Sequence, residues 1–262
     1  LAIVRGSFVR LSRPRRLIGH FLDAARGVPV VTAQRTFRIA NVAAARDAAS
    51  PRPGWAALFV KAFAAVCARR PELRRTLVAW PWARLFEYDA PIVSVVVERT
   101  VDGEPALFLG QVKNAAELPL ATVQAAIRNY KTRPIEKIHR FRDALRLAAL
   151  PAFVRRPLWR LVVNAMPRLK AACLGTHGVS PTTGLGVSGV HIVTPWAIGL
   201  HYDAPRANGD LDVRFTIDHR VYDFALAASA LAALEQEVCG PILAELRAMK
   251  PATDSQSLRD AA

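Results

Sequence analysis

Apolar positions repeat at helical spacing in several stretches of the chain, each bounded by proline, glycine or a polar run. Leu17, Ile18, Phe21 and Leu22 form one such stripe and predict a helix over residues 15–26, with Gly27 where a helix end favours glycine. Helical character returns from Ala43 until the breaker Ser50-Pro51-Arg52-Pro53-Gly54. The clearest stripe, Leu58, Phe59, Ala62, Phe63, Val66 and Cys67, predicts a helix from Trp55 to Arg69 stopped by Pro71, and its plain role is core packing. Residues 120–130 and 135–150 are helical again. After Asp223, the run Leu226, Leu231, Leu234 and Val238 predicts a final amphipathic helix before Gly240-Pro241.

Period-two stretches lie between these helices. Val28-Pro29-Val30-Val31 looks extended, as do residues 34–39, where Arg35, Phe37 and Ile39 alternate with Thr36 and Arg38. Residues 92–97 are β-branched and nearly all apolar, the pattern of a strand covered on both faces, and residues 106–112 pair with them across the Asp102-Gly103 turn. Residues 175–189 are rich in Gly, Ser and Thr and are expected as a loop. Residues 190–202 and 211–217 are expected as strands. In the second of these, Leu211, Val213, Phe215 and Ile217 alternate with Asp212, Arg214, Thr216 and Asp218, which predicts a half-buried strand. Helices and strands mixed in this order predict a layered α/β sandwich.

A chain of 262 residues with 52% hydrophobic content can bury one large core, so residues 1–250 are expected as a single domain and 251–262 as a polar tail. The formal charge of +15 calls for an anionic partner: nucleic acid, a phospholipid surface or a phosphorylated cofactor. Arginines are spread along the chain and no nucleic-acid-binding motif accompanies them, which makes nucleic acid the least favoured. The apolar stretch 145–174 is broken by six cationic residues and three prolines, so no window in it crosses a bilayer of roughly 30 Å. Phe153, Leu158, Trp159, Leu161 and Val162 alternate with cations there and leave peripheral membrane contact open, against the blander reading of buried helices with solvated arginines. Cys67, Cys173 and Cys239 are widely spaced, with no pair to clamp zinc, so a reducing, cytoplasmic setting and no metal are expected. Five arginines among the first sixteen residues exclude a signal-peptide apolar core from that segment.

One histidine stands out by position. His219 follows the alternating strand and precedes the last helix, at the edge of the core, where an imidazole can exchange protons near neutrality once its tautomer is fixed. Lone histidines are more often structural or simply exposed. Here Arg220 and Asp223 add fixed charges beside the ring.

Asp218-His219-Arg220-Val221-Tyr222-Asp223, followed by an Ala-rich helix, resembles the Asp-His-Arg-Val-x-Asp-Gly signature of dihydrolipoamide acyltransferases, the catalytic domains of 2-oxoacid dehydrogenase complexes. These share a fold with chloramphenicol acetyltransferase, whose His-x-x-x-Asp has the same spacing. Arg15-Arg16-Leu17-Ile18-Gly19, Val28-Pro29-Val30-Val31-Thr32 and Phe59-Val60-Lys61-Ala62 with Pro71-Glu72-Leu73 resemble earlier segments of the same family. Gly175-Thr176-His177-Gly178-Val179-Ser180 resembles its Gly-Thr-x-x-Ile-Ser, although a serine in a Gly-rich loop is by itself more often a turn former.

The resemblance implies a chloramphenicol acetyltransferase-like α/β sandwich with a mixed sheet, and direct acyl transfer between coenzyme A, or another thioester carrier, and an acceptor. No covalently bound cofactor is expected. His219 is then the general base, Ser180 the donor to the oxyanion, and Asp223 an organiser paired with Arg15 or Arg16; Arg15, Arg16 and Arg220 are the candidate substrate-binding cations. A homotrimer or larger cage is implied, with His219 and Ser180 supplied by different copies. Phe224 stands where the family has glycine, and Pro181-Thr182-Thr183 replaces Asn-Leu-Gly, so a different helix entry and oxyanion loop are expected. The family's Gly-Leu-x-x-Pro segment is not recognisable in residues 104–112 and the Arg-rich helices before Gly175 are additional, which argues against the usual dihydrolipoamide substrate. A non-catalytic scaffold subunit and a basic membrane-binding module are the alternatives.

Overall fold

The computed structural model describes residues 7–181, 189 and 192–249. Helix α1 (Arg13–Ala25) opens on Ser12, whose hydroxyl accepts a hydrogen bond from Arg15 N, the usual satisfaction of a free helix N–H. The two extended stretches after it form one strand, β1 (Val30–Arg38). Helices α2 (Ala40–Ala48) and α3 (Trp55–Arg69) follow, then a hairpin of β2 (Arg75–Val78) and β3 (Arg84–Glu87) that the sequence pattern does not foretell. Strands β4 (Ile92–Val101) and β5 (Glu104–Lys113) pair antiparallel through Asp102 and Gly103, with φ of 53° and 79°. Two consecutive left-handed residues give the twist a two-residue hairpin needs, and Asp-Gly is among the pairs that supply it most cheaply.

Helices α4 (Leu120–Thr132), α5 (His139–Ala149), α6 (Ala152–Ala165) and α7 (Pro167–Leu174) come next. The stretch 145–174 is thus divided among three short helices. Pro151 precedes α6 and Pro167 opens α7, positions where a missing N–H removes no helix bond. Arg155 is buried because its guanidinium donates to the carbonyls of Ala148 and Leu150 at 3.0 and 2.9 Å, capping the end of α5. Three strands complete the sheet: β6 (His177–Pro181), β7 (Ile198–Tyr202) and β8 (Asp210–Asp218). Helix α8 (Phe224–Glu237) runs through a π-helical turn into α9 (Leu243–Ala248). Residues 250–262, and with them the polar tail, lie outside the described residues.

Six strands form one sheet in the order β1-β8-β7-β6-β4-β5, parallel at β4–β6 and β6–β7 and antiparallel elsewhere. This is the expected mixed sheet in an α/β sandwich. One face carries Phe37, Val95, Val179, Leu200 and Phe215 against the fully buried Leu58, Phe59 and Phe63 of α3 and Leu231 and Leu234 of α8. Phe59 stacks on Tyr202 with ring centroids 4.2 Å apart, and Phe63 meets Phe215 at 5.3 Å. Smaller apolar groups from α1, α5 and α6 cover the β5 edge: Phe108, on the same side of the sheet as Val97, stacks on Phe141 at 4.4 Å, and Leu109, on the opposite side, meets Trp159, Val162, Val163 and Leu174.

On β8 the polar face differs from the half-buried expectation: every residue from Leu211 to Asp218 is buried. Pairing explains this, because buried polar groups are tolerated when hydrogen-bonded. Asp212 accepts from Thr36 and pairs with Arg206, Arg214 forms a two-pronged pair with Asp203 and bonds Gln34, Thr216 bonds His201, and Asp218 holds Arg220.

Candidate active site

His219 occupies a turn fixed from several directions. Asp218 N donates to Ala197 O at 2.8 Å and His219 N to Pro29 O at 3.1 Å, tying the end of β8 to β7 and to the entry of β1. The carbonyl of Asp218 accepts from Val221 N and Tyr222 N. Its carboxylate, 94% shielded from solvent, receives Arg220 in a fork, Nε to Oδ1 at 2.9 Å and Nη2 to Oδ2 at 2.8 Å. Hydrogen bonding to Asp218 raises the pKa of Arg220 above the ordinary guanidinium value. Buried Tyr222 donates its hydroxyl to the carbonyls of Leu73 and Arg75, each 2.8 Å away. Tyr222 also presents its own carbonyl to His219 Nδ1 at 3.0 Å. A carbonyl only accepts, so Nδ1 carries the proton and Nε2 keeps its lone pair on an exposed ring. That is the tautomer a general base needs.

Beneath this turn lies Lys170, 8% exposed, with Nζ 3.2 Å from Thr76 Oγ1. Burial lowers its pKa to about 8; Asp218 opposes that shift and Arg220 adds to it. No sequence signal marks Lys170, since its partner Thr76 belongs to the unforeseen hairpin.

Asp223 stands one residue before α8 and accepts from Leu226 N at 2.6 Å, a helix N-cap. The pairing with Arg15 or Arg16 implied by the family resemblance is not made within this chain: among the described residues Asp223 has no ion pair, and Arg16 Nε instead donates to Ser12 O. Both arginines sit on α1, which packs on α5, α6 and β5, away from the His219 turn. Arg220, offered as a substrate-binding cation, is engaged with Asp218.

Ser180 lies near the end of β6, and the glycine-rich segment before it explains how. Gly175 has φ of 76°, and a side chain there would collide with Ser94 Oγ and Ile92 O. Thr176 Oγ1 accepts from Ile92 N, His177 donates through Nε2 to Leu73 O, and Gly178 lies flat against Trp196. The segment expected as a loop is therefore a strand from His177 to Pro181, buried through Val179; residues 182–188 lie outside the described residues. Strand alternation turns His177 and Val179 to the α3 side and Ser180 to the other. There Ser180 joins a cavity of about 610 Å³ walled by α1, β5, α5, α6 and Trp196. His201, paired with Ser180 in the β6–β7 register, lines it too, a residue with no local sequence signal beyond its alternation with Leu200 and Tyr202.

His219 is not part of that wall. In the β7–β8 register Ile217 is opposite Ile198, while Ser180 is opposite His201. His219 and Ser180 are thus separated by about 16 Å along the strands and about 10 Å across them, at roughly 3.3 Å per residue and 4.8 Å per strand. One chain does not bring them together. Among the described residues no three His, Cys, Asp or Glu side chains are grouped as metal ligands.

No protein-family model and no curated protein sequence matches the chain. Solved structures do. A probable dihydrolipoamide acetyltransferase from Listeria monocytogenes is 16% identical with a TM-score of 0.61, covering 89% of this chain and 94% of that one. The cubic core of the pyruvate dehydrogenase multienzyme complex is 17% identical with a TM-score of 0.62, covering 92% and 94%. The Azotobacter vinelandii dihydrolipoamide acetyltransferase, whose catalytic mechanism was investigated at a serine, a histidine and an asparagine four positions beyond the histidine, is 16% identical with a TM-score of 0.61, covering 92% and 94%. The chain has the fold of the dihydrolipoamide acetyltransferase catalytic cores.

Proposed function

We propose that the protein is an acyltransferase that moves an acyl group between coenzyme A, or a similar thioester carrier, and an acceptor, with His219 as general base. The observation that carries this reading is the bond from His219 Nδ1 to Tyr222 O, which leaves Nε2 unprotonated and exposed. Nε2 takes the acceptor's proton, the acceptor attacks the thioester carbonyl, Ser180 donates to the oxyanion, and the thiolate leaves with the proton returned from His219. The four-residue spacing of His219 and Asp223 matches that of the histidine and asparagine studied in the Azotobacter enzyme. Coenzyme A phosphates give the +15 charge a use.

Because Ser180 and His219 lie far apart in one chain, the working site needs His219 of one copy facing Ser180 of another. A closed ring, a trimer or a cage of trimers, supplies such contacts equally to every copy. Thiol release from acyl-CoAs of increasing chain length tests the reading. Release by the assembled protein is expected; its absence across the series, with His219→Gln indistinguishable from wild type, would sink it.

A second reading, peripheral membrane contact, is favoured by α6, where Phe153 (80% exposed), Val154, Leu158 and Leu161 lie among Arg156 and Arg160. Sedimentation with anionic but not zwitterionic vesicles, lost in Phe153→Ser, is the outcome it requires.

A further inference from the structure

The cavity below Ser180 falls within the roughly 300–1,000 Å³ of small-molecule sites, and its wall is mostly apolar, from Leu17 and Phe21 of α1 to Leu109, Leu147, Trp159 and Trp196. Two histidines in that wall are almost wholly buried, His201 at 2% and His20 at 3% exposure. Among the described residues, neither nitrogen of His20, nor Nδ1 of His201, has a hydrogen-bond partner. Orphaned polar atoms are rare in protein interiors, and in the wall of an apolar cavity they mark the place of a ligand's polar group.

His201 is the better placed, directly beside Ser180. Its Nε2 lies 2.9 Å from Thr216 Oγ1, whose hydroxyl also reaches Gly199 O at 3.4 Å. When the Thr216 proton points to Gly199, His201 donates through Nε2 and Nδ1 is an acceptor. When it points to Nε2, Nδ1 is a donor. A hydroxyl, both donor and acceptor, satisfies Nδ1 in either state. Burial, then Arg214, pushes the His201 pKa down to about 4, and burial, then Arg155, does the same to His20. Both rings are neutral near pH 7 and serve as hydrogen-bond groups rather than bases.

We infer that this cavity binds the acyl acceptor, an apolar alcohol whose hydrocarbon fills the space under α1 and whose hydroxyl is held by His201 Nδ1 beside Ser180. The chemistry rests on the acyltransferase reading above; the binding does not. With Nδ1 donating to the alcohol oxygen, the alcohol's proton is free to pass to His219 Nε2 of a neighbouring copy. The oxygen forms a bond to the thioester carbon, the C–S bond breaks, and the thiolate takes the proton, giving an ester and a free thiol. His201 is thus a positioning residue for the nucleophile.

Trp159 and Trp196 in the wall provide a readout that needs no turnover, since a brominated ligand quenches tryptophan fluorescence. Titration with 12-bromododecan-1-ol and with 1-bromododecane should show the alcohol quenching at roughly tenfold lower concentration, the worth of one neutral hydrogen bond to an otherwise unpaired group. In His201→Leu that preference should vanish while quenching by the alkane persists. Ala144→Phe, which fills the cavity from α5, should abolish both and serves as the check if the His201 variant fails to fold. Equal quenching by the two probes in wild type, a preference surviving in His201→Leu, or quenching untouched by Ala144→Phe would each overturn the inference. Dodecanol-dependent thiol release from an acyl-CoA separates the two claims. Quenching as expected without thiol release to any acceptor removes the acyltransferase reading and leaves the binding site, whereas release to a small thiol without quenching removes only the alcohol.

Discussion

His201, on β7, and His219, in the turn that follows the neighbouring β8, are opposite in almost every physical respect. His201 is enclosed, bonded through Nε2 to Thr216, and held neutral by burial down to about pH 4. His219 is exposed, bonded through Nδ1 to a backbone carbonyl in a turn that the Asp218–Arg220 pair makes rigid. The same side chain can thus be a polar contact in an apolar enclosure or a base at a solvent-facing edge, and the difference is set by which nitrogen is occupied and by what. The contrast extends to their surroundings: the cavity is shaped by helices from the first and middle thirds of the chain, whereas the turn is five consecutive residues anchored to the carbonyls of Pro29, Leu73, Arg75 and Ala197.

The widest test of the contrast is His219→Ala, expected to lower acyl-CoA turnover by roughly 10²–10⁴-fold with an unchanged circular dichroism spectrum. A folded variant with full turnover would remove His219 from the chemistry and reverse the two assignments. Ser180→Ala should lower kcat by about 10²-fold at nearly constant KM for acyl-CoA, since an oxyanion donor acts on the transition state. Co-expressing equal amounts of the two inactive chains should then restore about one quarter of the wild-type sites, because a shared contact regains an intact His219 and an intact Ser180 at that frequency. No recovery in co-assembled rings would confine the site to one chain.

Asp218→Asn leaves Arg220 without its partner and Lys170 without a nearby negative charge. Asp218 is shielded but the Arg220 side chain is 40% exposed, so losing their charge-assisted hydrogen bonds should cost about 1–2 kcal/mol, read in urea unfolding, and turnover should fall with the loosened turn. An acid titration reports on the buried histidines. For His20, His177 and His201 the folded-state pKa is lowered from 6.5 to about 4, mainly by burial. The unfolded chain therefore binds protons first as pH falls. Stability is full above about pH 6.5, declines toward pH 4 by at most about 1.4 kcal/mol per pH unit for each histidine, and His201→Leu should shallow that slope. A flat profile would show these rings to be hydrated. The smallest effect belongs to Asp223→Ala, which removes a helix cap worth about 1 kcal/mol in thermal or urea unfolding. A much greater loss of turnover would give Asp223 a role beyond the cap.

How much of this could be seen in the sequence depended on how local the cause was. Helix α3 follows its apolar stripe and stops before Pro71, and the β4–β5 hairpin follows from Asp102-Gly103, because stripe, stop and turn are all written within a few residues. The His219 turn was visible for the same reason, since Asp218, His219 and Arg220 are consecutive. Strand β6 was hidden: its glycines are there because Ser94, Ile92 and Trp196 press against them, all remote in sequence. Alternation in β8 correctly gave a strand, yet not the burial of Asp212, Arg214 and Thr216, whose partners come from β1, β7 and the loop between β7 and β8. His201 was invisible as a site residue, since the cavity it faces is assembled from segments as remote in sequence as Leu17.

The distance between Ser180 and His219 has an evolutionary corollary. Mutations in α1, α5 or α6 can reshape the cavity without disturbing the five residues from Asp218 to Tyr222, and drift in that turn leaves the cavity alone. On the proposed function, selectivity and reactivity are therefore separately heritable. A hybrid chain grafting a relative's α1 and residues 139–174 onto this sheet is then expected to inherit the donor's preference for acceptors while keeping its own proton chemistry.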